Sequence, residues 1–290
     1  MREVNDILNK SVEFDLFRNS IFMSYWGSET HGTSLQNKSS IDDIDIFGVV
    51  IPPPEYFFSL RSVYPVNRGN GYDVRFETLD KKEGKYDVVI HDFRKFMKLL
   101  AGSNPTMIQM LWMPEKYIIR QGADYKLLRY YRDKFITQRI GGSFKGIAMK
   151  AKDDINKGMY QGYMGEKRKA LFDKHGYDTK NAQHAVRLLK MGIEALTERT
   201  INVDRQGLDA STLIEIKQGK WNKDRVVSHI DYLLERLEEA RVESKSGPNP
   251  LPVSVDDGFV DDITTYILGR HFKQYPIGDD FHFLTGKDKE

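Results

Sequence analysis

Residues Gly27–Val50 read GSETHGTSLQNKSSIDDIDIFGVV, a Gly-Ser turn followed by three aspartates, Asp42, Asp43 and Asp45, within four positions. Clustered aspartates repel one another and are poor strand formers. Yet Ile44–Ile51 (IDIFGVVI) reads as a strand entering a core. Residues two apart share a strand face, so Asp43 and Asp45 are expected to project together while Ile44 and Ile46 face the core. Two neighbouring carboxylates stay ionised cheaply only with a cation between them. Hard oxygen ligands select Mg²⁺ or Mn²⁺, and Mg²⁺ typically completes its shell with water and substrate phosphates. Upstream, Gly27 lets the backbone approach a phosphate, and Ser28 offers a hydroxyl and an N–H as donors. Phosphate donors followed by a carboxylate dyad on the next strand form the working end of a nucleotidyl-transfer site. The competing reading is an edge strand decorated with Asp against aggregation; the Gly-Ser turn and the apolar run after the dyad count against it. Asp42, on the opposite face, is expected to cap the turn.

Outward from this stretch, VNDILNKSVEFDLFRNS (4–20) has helical spacing, and IFMSYWG reads as a short strand ending at Gly27. Pro52-Pro53-Pro54 closes the aspartate-bearing strand, because proline cannot continue a ladder. YDVVIHDF (Tyr86–Phe93) has the continuous apolar centre of a buried strand. It runs into a helix with Phe93, Phe96, Met97 and Leu100 on one face, ended by Asn104-Pro105. Beyond Tyr125 amphipathic stretches take over, at 124–138, 144–157, 181–198, 223–243 and 257–272. Ser244–Pro252 (SKSGPNPLP) has linker composition, with its terminal helix expected to fold back onto the helical part. The expected fold class is therefore α/β (α+β): a mixed-sheet domain over 1–124, a helical domain over 125–275, and a tail over 276–290.

Composition narrows the chemistry. Hydrophobic residues make up 40% of the 290, enough to build a core, and the absence of cysteine excludes disulfides, thiolate catalysis and zinc-finger sites. The first residues lack a signal-peptide apolar run, and no stretch approaches the length of a membrane span, so a cytoplasmic protein is expected. The net charge of +2 conceals an asymmetry: Arg139–Lys190 carries 12 Lys+Arg against 5 Asp+Glu, leaving the remainder at −5. A basic middle beside an acidic cluster suits a metal-plus-polyanion site, and equally suits a solvated helical face. No GxxxxGK[ST] phosphate loop and no credible zinc-spaced histidine pair occur.

WGSETHGT…DDIDIFGV resembles the hG[GS]…Dh[DE]h signature of the DNA polymerase β-type nucleotidyltransferase superfamily. Asp87–Trp112, DVVIHDFRKFMKLLAGSNPTMIQMLW, is similar to the D…WDLRKxLxLLxxSNPxxxEWL segment of the RNA-repair-associated predicted nucleotidyltransferases of bacteria and phages. Lys174–Leu196, KHGYDTKNAQHAVRLLKMGIEAL, resembles their C-terminal KxxxHxxRLL helix. The matches run in order over roughly residues 20–240. Two positions depart from the pattern: His91 stands where the family has tryptophan, and Gln109 where it has glutamate.

The resemblance implies a third carboxylate on a neighbouring strand, as metal ligand or as base toward the acceptor hydroxyl, and points to Asp87; Asp73 and Glu77 in GYDVRFE are the alternatives. A lone Asp at a strand start is otherwise a turn former. In the C-terminal segment Lys180, His184 and Arg187 form one polar stripe, opposite an apolar face of Ala182, Ala185, Val186, Leu189 and Ile193. Such cations could hold a triphosphate across a cleft or simply line a solvated face; the resemblance favours the first. Tyr160, Tyr163 and Tyr177 could stack a base or build core. The implied activity is transfer of a nucleoside monophosphate from an NTP, such as ATP, with Mg²⁺ or Mn²⁺ as cofactor. Asp43, Asp45 and Asp87 would be catalytic and metal-holding, and Gly27, Ser28, Lys180, His184 and Arg187 nucleotide-binding. The acceptor would be an RNA or tRNA end, or alternatively a protein partner as in antitoxin-type relatives. A non-catalytic RNA-binding module on the same fold and a metal-dependent phosphohydrolase are the other readings.

Overall fold

The computed structural model describes residues 15–35, 44–54, 73–80, 84–158 and 166–273. Strand β1 (Ser20–Trp26) pairs antiparallel with β2 (Ile44–Val50), setting Ser24 opposite Phe47 and Trp26 opposite Asp45. Strand β2 runs parallel to β4 (Gly84–Asp92), with Asp45 beside Asp87 and Phe47 beside Val89. β3 (Asp73–Asp80) lies antiparallel to β4 on its outer side, and β5 (Ile118–Gln121) antiparallel to β1. The result is a mixed five-stranded sheet in the order β3-β4-β2-β1-β5. The parallel β2–β4 pair needs a crossover, and the intervening chain supplies β3 on the way.

Alternation along the strands separates two apolar faces. Phe22, Phe47 and Val49 join the large core beneath the helices, whereas Met23, Ile46, Val50, Val88 and Ile90 form a smaller cluster with Leu16 on the reverse. Asp45 shares the face of Phe47 and Val49, and Asp87 that of Val89, so both carboxylates lie on the helix-covered side.

Helix α1 (Phe93–Ala101) starts where Asp92 accepts the N–H groups of Arg94 (2.9 Å) and Lys95 (3.2 Å), and buries Phe93, Phe96, Met97 and Leu100. Asn104-Pro105 ends this pattern and at once begins another helix. The Asn104 side chain accepts from the Thr106 and Met107 N–H groups, with Pro105 in the first turn of α2 (Pro105–Met110).

The remaining helices are α3 (Ala123–Tyr130), α4 (Arg139–Asn156), α5 (Glu166–His175), α6 (Thr179–Glu198), α7 (Ala210–Lys217), α8 (Lys223–Ser246) and α9 (Asp257–Phe272). The stretch expected as one helix over 124–138 breaks after Tyr130 into a 3₁₀ turn, Arg132–Phe135, which lets Phe135 and Ile136 enter the core. The linker-like Ser244–Pro252 begins inside α8 and is tied down. The Leu251 N–H donates to Ser244 O (2.8 Å), and Gln138 Nε2 donates to Leu251 O (2.7 Å). Helix α9 folds back, but alongside α1 of the sheet part, setting Phe259 edge-on to Tyr131 and Phe135 and joining Arg270 to Asp124. A single apolar cluster extends from Phe22 and Phe47 to Ile267, continuous between the sheet and the helices.

Of the helix expected over 4–20, the described residues Leu16–Asn19 form a turn leading into β1. Asp42, Asp43, Tyr160, Tyr163 and the tail lie outside the described residues.

Candidate active site

Strand β1 delivers the chain to Gly27, which turns at φ +71°. A Cβ there would collide with Asp45 Oδ2, so the carboxylate of β2 lies directly over the glycine. Positive φ and this close approach both exclude an ordinary L side chain. The turn is closed by its own bonds: the Thr33 N–H donates to Ser28 O (2.9 Å) and Thr30 Oγ1 to Gly27 O (3.1 Å). Ser28 remains half-buried, while Thr30, His31 and Thr33 are buried.

Asp45 and Asp87 are register partners on adjacent parallel strands, which run about 4.8 Å apart. Both side chains are half-buried on the same face. Of the two alternative third carboxylates, Glu77 occupies the position opposite Asp87 in β3, whereas Asp73 pairs with His91 four positions along β4. Register therefore sets Glu77, and not Asp73, level with the Asp45–Asp87 pair. Asp45 and Asp87 offer carboxylate oxygens, the ligand chemistry of Mg²⁺ and Mn²⁺. Among the described residues no three metal-ligating side chains converge; the sequence places Asp43, outside them, two positions before Asp45.

The residues of α6 sit at different depths. Asp178 caps the helix by accepting the Asn181 N–H (3.1 Å), and Lys180 and His184 are half-buried. Arg187 is only 4% exposed, so it belongs to the interior and not to an outer stripe. It donates from Nη1 to Gln109 Oε1 (3.0 Å) and to Met191 Sδ (3.8 Å), and from Nη2 to His184 Nδ1 (3.0 Å). A guanidinium can only donate, so His184 Nδ1 is the acceptor and the imidazole proton sits on Nε2. These partners are all neutral. Burial, reinforced by the charge of Arg205, pushes the Arg187 pKa down to about 9. The Gln109 amide also donates to Pro105 O (2.6 Å), a bond that a glutamate at this position would lack.

Two residues of this region went unread in the sequence. His31, 2% exposed, donates from Nδ1 to Val203 O (2.9 Å) and meets Trp26 edge-on at 5.1 Å. Burial first, and Arg187 second, hold its pKa well below the usual imidazole value. Lys217, 1% exposed, donates from Nζ to Thr33 O (3.0 Å). The available signal was a lysine ending the apolar stretch LIEIK, beside buried Ile216.

Other expectations resolve as structure. Tyr177 is buried with its hydroxyl on Trp221 O (2.7 Å), a core residue and no stacking platform. His91 packs edge-on against Phe47 at 5.3 Å. Part of the basic surplus is neutralised across helices, Lys145 by Glu238 (3.0 Å) and Lys152 by Asp231. Among the described residues no helix is long and apolar enough to cross a membrane.

A family model described as the RNA repair pathway DNA polymerase beta family matches residues 9–260. The chain belongs to that family. It is thus a nucleotidyltransferase of the polymerase β type. No curated protein matches the chain. Among solved structures, a nucleotidyltransferase-like protein from Exiguobacterium sibiricum is similar at 12% identity over 80% of this chain and 72% of that one, with a TM-score of 0.27. A superposition that loose adds nothing to the family assignment.

Proposed function

We propose that this member of the RNA repair pathway DNA polymerase beta family transfers a nucleoside monophosphate from an NTP to the hydroxyl of an RNA or tRNA end, with Mg²⁺ or Mn²⁺ as cofactor. The observation that carries the reading is the packing of Asp45 over Gly27 with Asp87 in register beside it. It brings two carboxylates beside the Gly27–Ser28 backbone, as a metal next to bound phosphates would require. The family description supports the RNA acceptor, as does the basic stretch Arg139–Lys190.

Asp43, Asp45 and Asp87 would hold the divalent cation, which when bound neutralises phosphate charge and polarises the α-phosphate. The Gly27–Ser28 turn would hold the β- and γ-phosphates through backbone N–H groups and the Ser28 hydroxyl. Lys180 and the Nε2–H of His184 would reach the triphosphate from α6. Arg187, held in the interior, fixes His184 in the tautomer that donates. Asp87 would orient the acceptor hydroxyl and take its proton as the oxygen attacks the α-phosphorus. A P–O bond forms to the acceptor, the α–β phosphoanhydride bond breaks, and pyrophosphate leaves with its electrons. Positioning and charge neutralisation supply the rate.

The test is incubation with each α-labelled NTP, Mg²⁺, total RNA and protein extract. Label entering RNA is expected. Label entering protein would transfer the acceptor assignment to a polypeptide hydroxyl. Release of free phosphate or nucleoside monophosphate without an adduct would make the protein a phosphohydrolase, and RNA binding indifferent to Mg²⁺ without turnover would make it a non-catalytic module.

A further inference from the structure

The segment from Ser28 to Thr33 does not end at the sheet. It crosses to the helical part and is fastened there at three points. His31 Nδ1 donates to Val203 O (2.9 Å), Lys217 Nζ donates to Thr33 O (3.0 Å), and a Cβ at Gly32 would collide with Gln206 Cγ. Gly32 has φ +64°, so the residue that meets Gln206 is one that no ordinary side chain could replace.

The receiving surface is itself anchored. Asp204 accepts from Lys116 Nζ (2.7 Å) and from the Tyr117 hydroxyl (3.3 Å), next to β5. Arg205 is held by Glu194 and Asp209, each at 2.7 Å. Lys217 O accepts from Thr179 Oγ1 (2.9 Å), which joins the end of α7 to the first turn of α6. The turn that carries Ser28 is therefore clamped to the same framework that carries Lys180 and His184.

Burying an imidazole and a lysine is expensive, and apolar residues would fill the space at lower cost. Both side chains spend their donors on carbonyl oxygens of this junction. A carbonyl oxygen can only accept, so the His31 proton sits on Nδ1.

We propose that His31 and Lys217 are positioning residues that lock the Gly27–Thr33 turn onto the helical part, presetting the gap between the phosphate donors of the turn and the α6 side chains. The nucleotide half of this inference rests on the function proposed above; the locking half does not. Preorganisation of this kind lowers the ordering cost of binding a polyphosphate.

The experiment compares wild type with His31→Leu, His31→Asn and Lys217→Gln in two measurements. The first is native-state amide hydrogen exchange of the apoprotein, read at His31, Gly32 and Thr33, whose N–H groups bond within the turn. His31→Leu removes the donor to Val203 O, and about tenfold faster exchange is expected at these amides alone. His31→Asn keeps an N–H donor at the same reach and restores wild-type protection. Lys217→Gln keeps a shorter donor and gives an intermediate rate. The second is the affinity for each Mg-NTP by calorimetry, expected to fall about tenfold in His31→Leu and to recover in His31→Asn.

Unaltered turn exchange in both His31→Leu and Lys217→Gln overturns the lock. So does acceleration spread uniformly over the protein, which would mark an ordinary packing role. Faster turn exchange with unchanged nucleotide affinity overturns the positioning role. If wild type binds no NTP, the proposed function falls while the exchange result still decides the lock.

Discussion

Asp45 of β2 rests its carboxylate against the backbone of Gly27 at the end of β1, close enough that a methyl group on Gly27 would collide with Oδ2. Because Trp26 is the register partner of Asp45, the strand pairing itself enforces this approach. The Gly27 turn and the Asp45 carboxylate are thus one packed unit.

Gly27→Ala is therefore expected to lower nucleotidyl transfer by about 100-fold or more, the cost of displacing a reacting group by about 1 Å. The substitution also meets φ +71°, which costs roughly 1–3 kcal/mol of stability. Label transfer from α-labelled NTP and thermal denaturation measure the two effects separately. Full activity in a folded Gly27→Ala protein would show that the glycine approach is irrelevant to the reaction.

Asp45→Asn and Asp43→Asn should each abolish transfer while leaving the melting temperature equal to or above that of wild type. The chain clusters carboxylates whose mutual repulsion destabilises the apoprotein, and the amide relieves it while discarding the hard anionic oxygen. A ligand-free melting curve that collapses for either variant would mean that the carboxylate is structural. Retained transfer would remove that residue from the site.

Strands β1, β2 and β4 were legible because their apolar runs are short, with Gly27 and Pro52–Pro54 bounding the first two, and the later helices because their amphipathic spacing is long. Strand β5 was not, since IIRQ is too brief to show a period. Helix α2 was hidden because Asn104-Pro105 reads as a stop, although the same pair caps and opens the next helix. Of the candidate site residues, Gly27 and Asp45 stood out by spacing and Asp87 by the family resemblance, and the alignment of Asp45 with Asp87 follows from strand register. His31, Lys217 and the depth of Arg187 were not readable, because their partners Val203, Thr33 and Gln109 lie 172, 184 and 78 residues away in the chain. Long-range burial leaves no local period.

The Gln109–Arg187 bond joins two of the sequence segments that carry the family resemblance, and it predicts a stability effect. Gln109→Leu would leave the buried guanidinium without its Nη1 oxygen acceptor and Pro105 O without the side-chain donor. Removing an acceptor from a buried charged donor costs about 2–3 kcal/mol. Urea unfolding of Gln109→Leu measures this, and a midpoint within error of wild type would refute the energetic role. Transfer should fall as well, because Arg187, which fixes the His184 tautomer, loses the Gln109 bond that holds it in place.

Stability should decline as the pH falls below about 6.5, the ordinary imidazole value. Burial lowers the pKa of His31, His175, His229 and His271 in the folded chain, with Arg187 adding to the effect at His31 and nearby lysine or arginine charges at His175 and His229. The unfolded chain protonates these groups first, so below that pH it binds more protons than the native state, and protonation favours unfolding. Above it both states are neutral and the contribution is complete. Each such histidine adds a slope of at most about 1.4 kcal/mol per pH unit. His31→Asn keeps the donor to Val203 O but cannot titrate, so its stability should depend less on pH between 7.5 and 5 than that of wild type. Urea midpoints at pH 5, 6 and 7.5 compare the two proteins. Parallel pH profiles for wild type and His31→Asn would mean that His31 is not held neutral by the fold, and that the other three histidines carry the whole acid sensitivity.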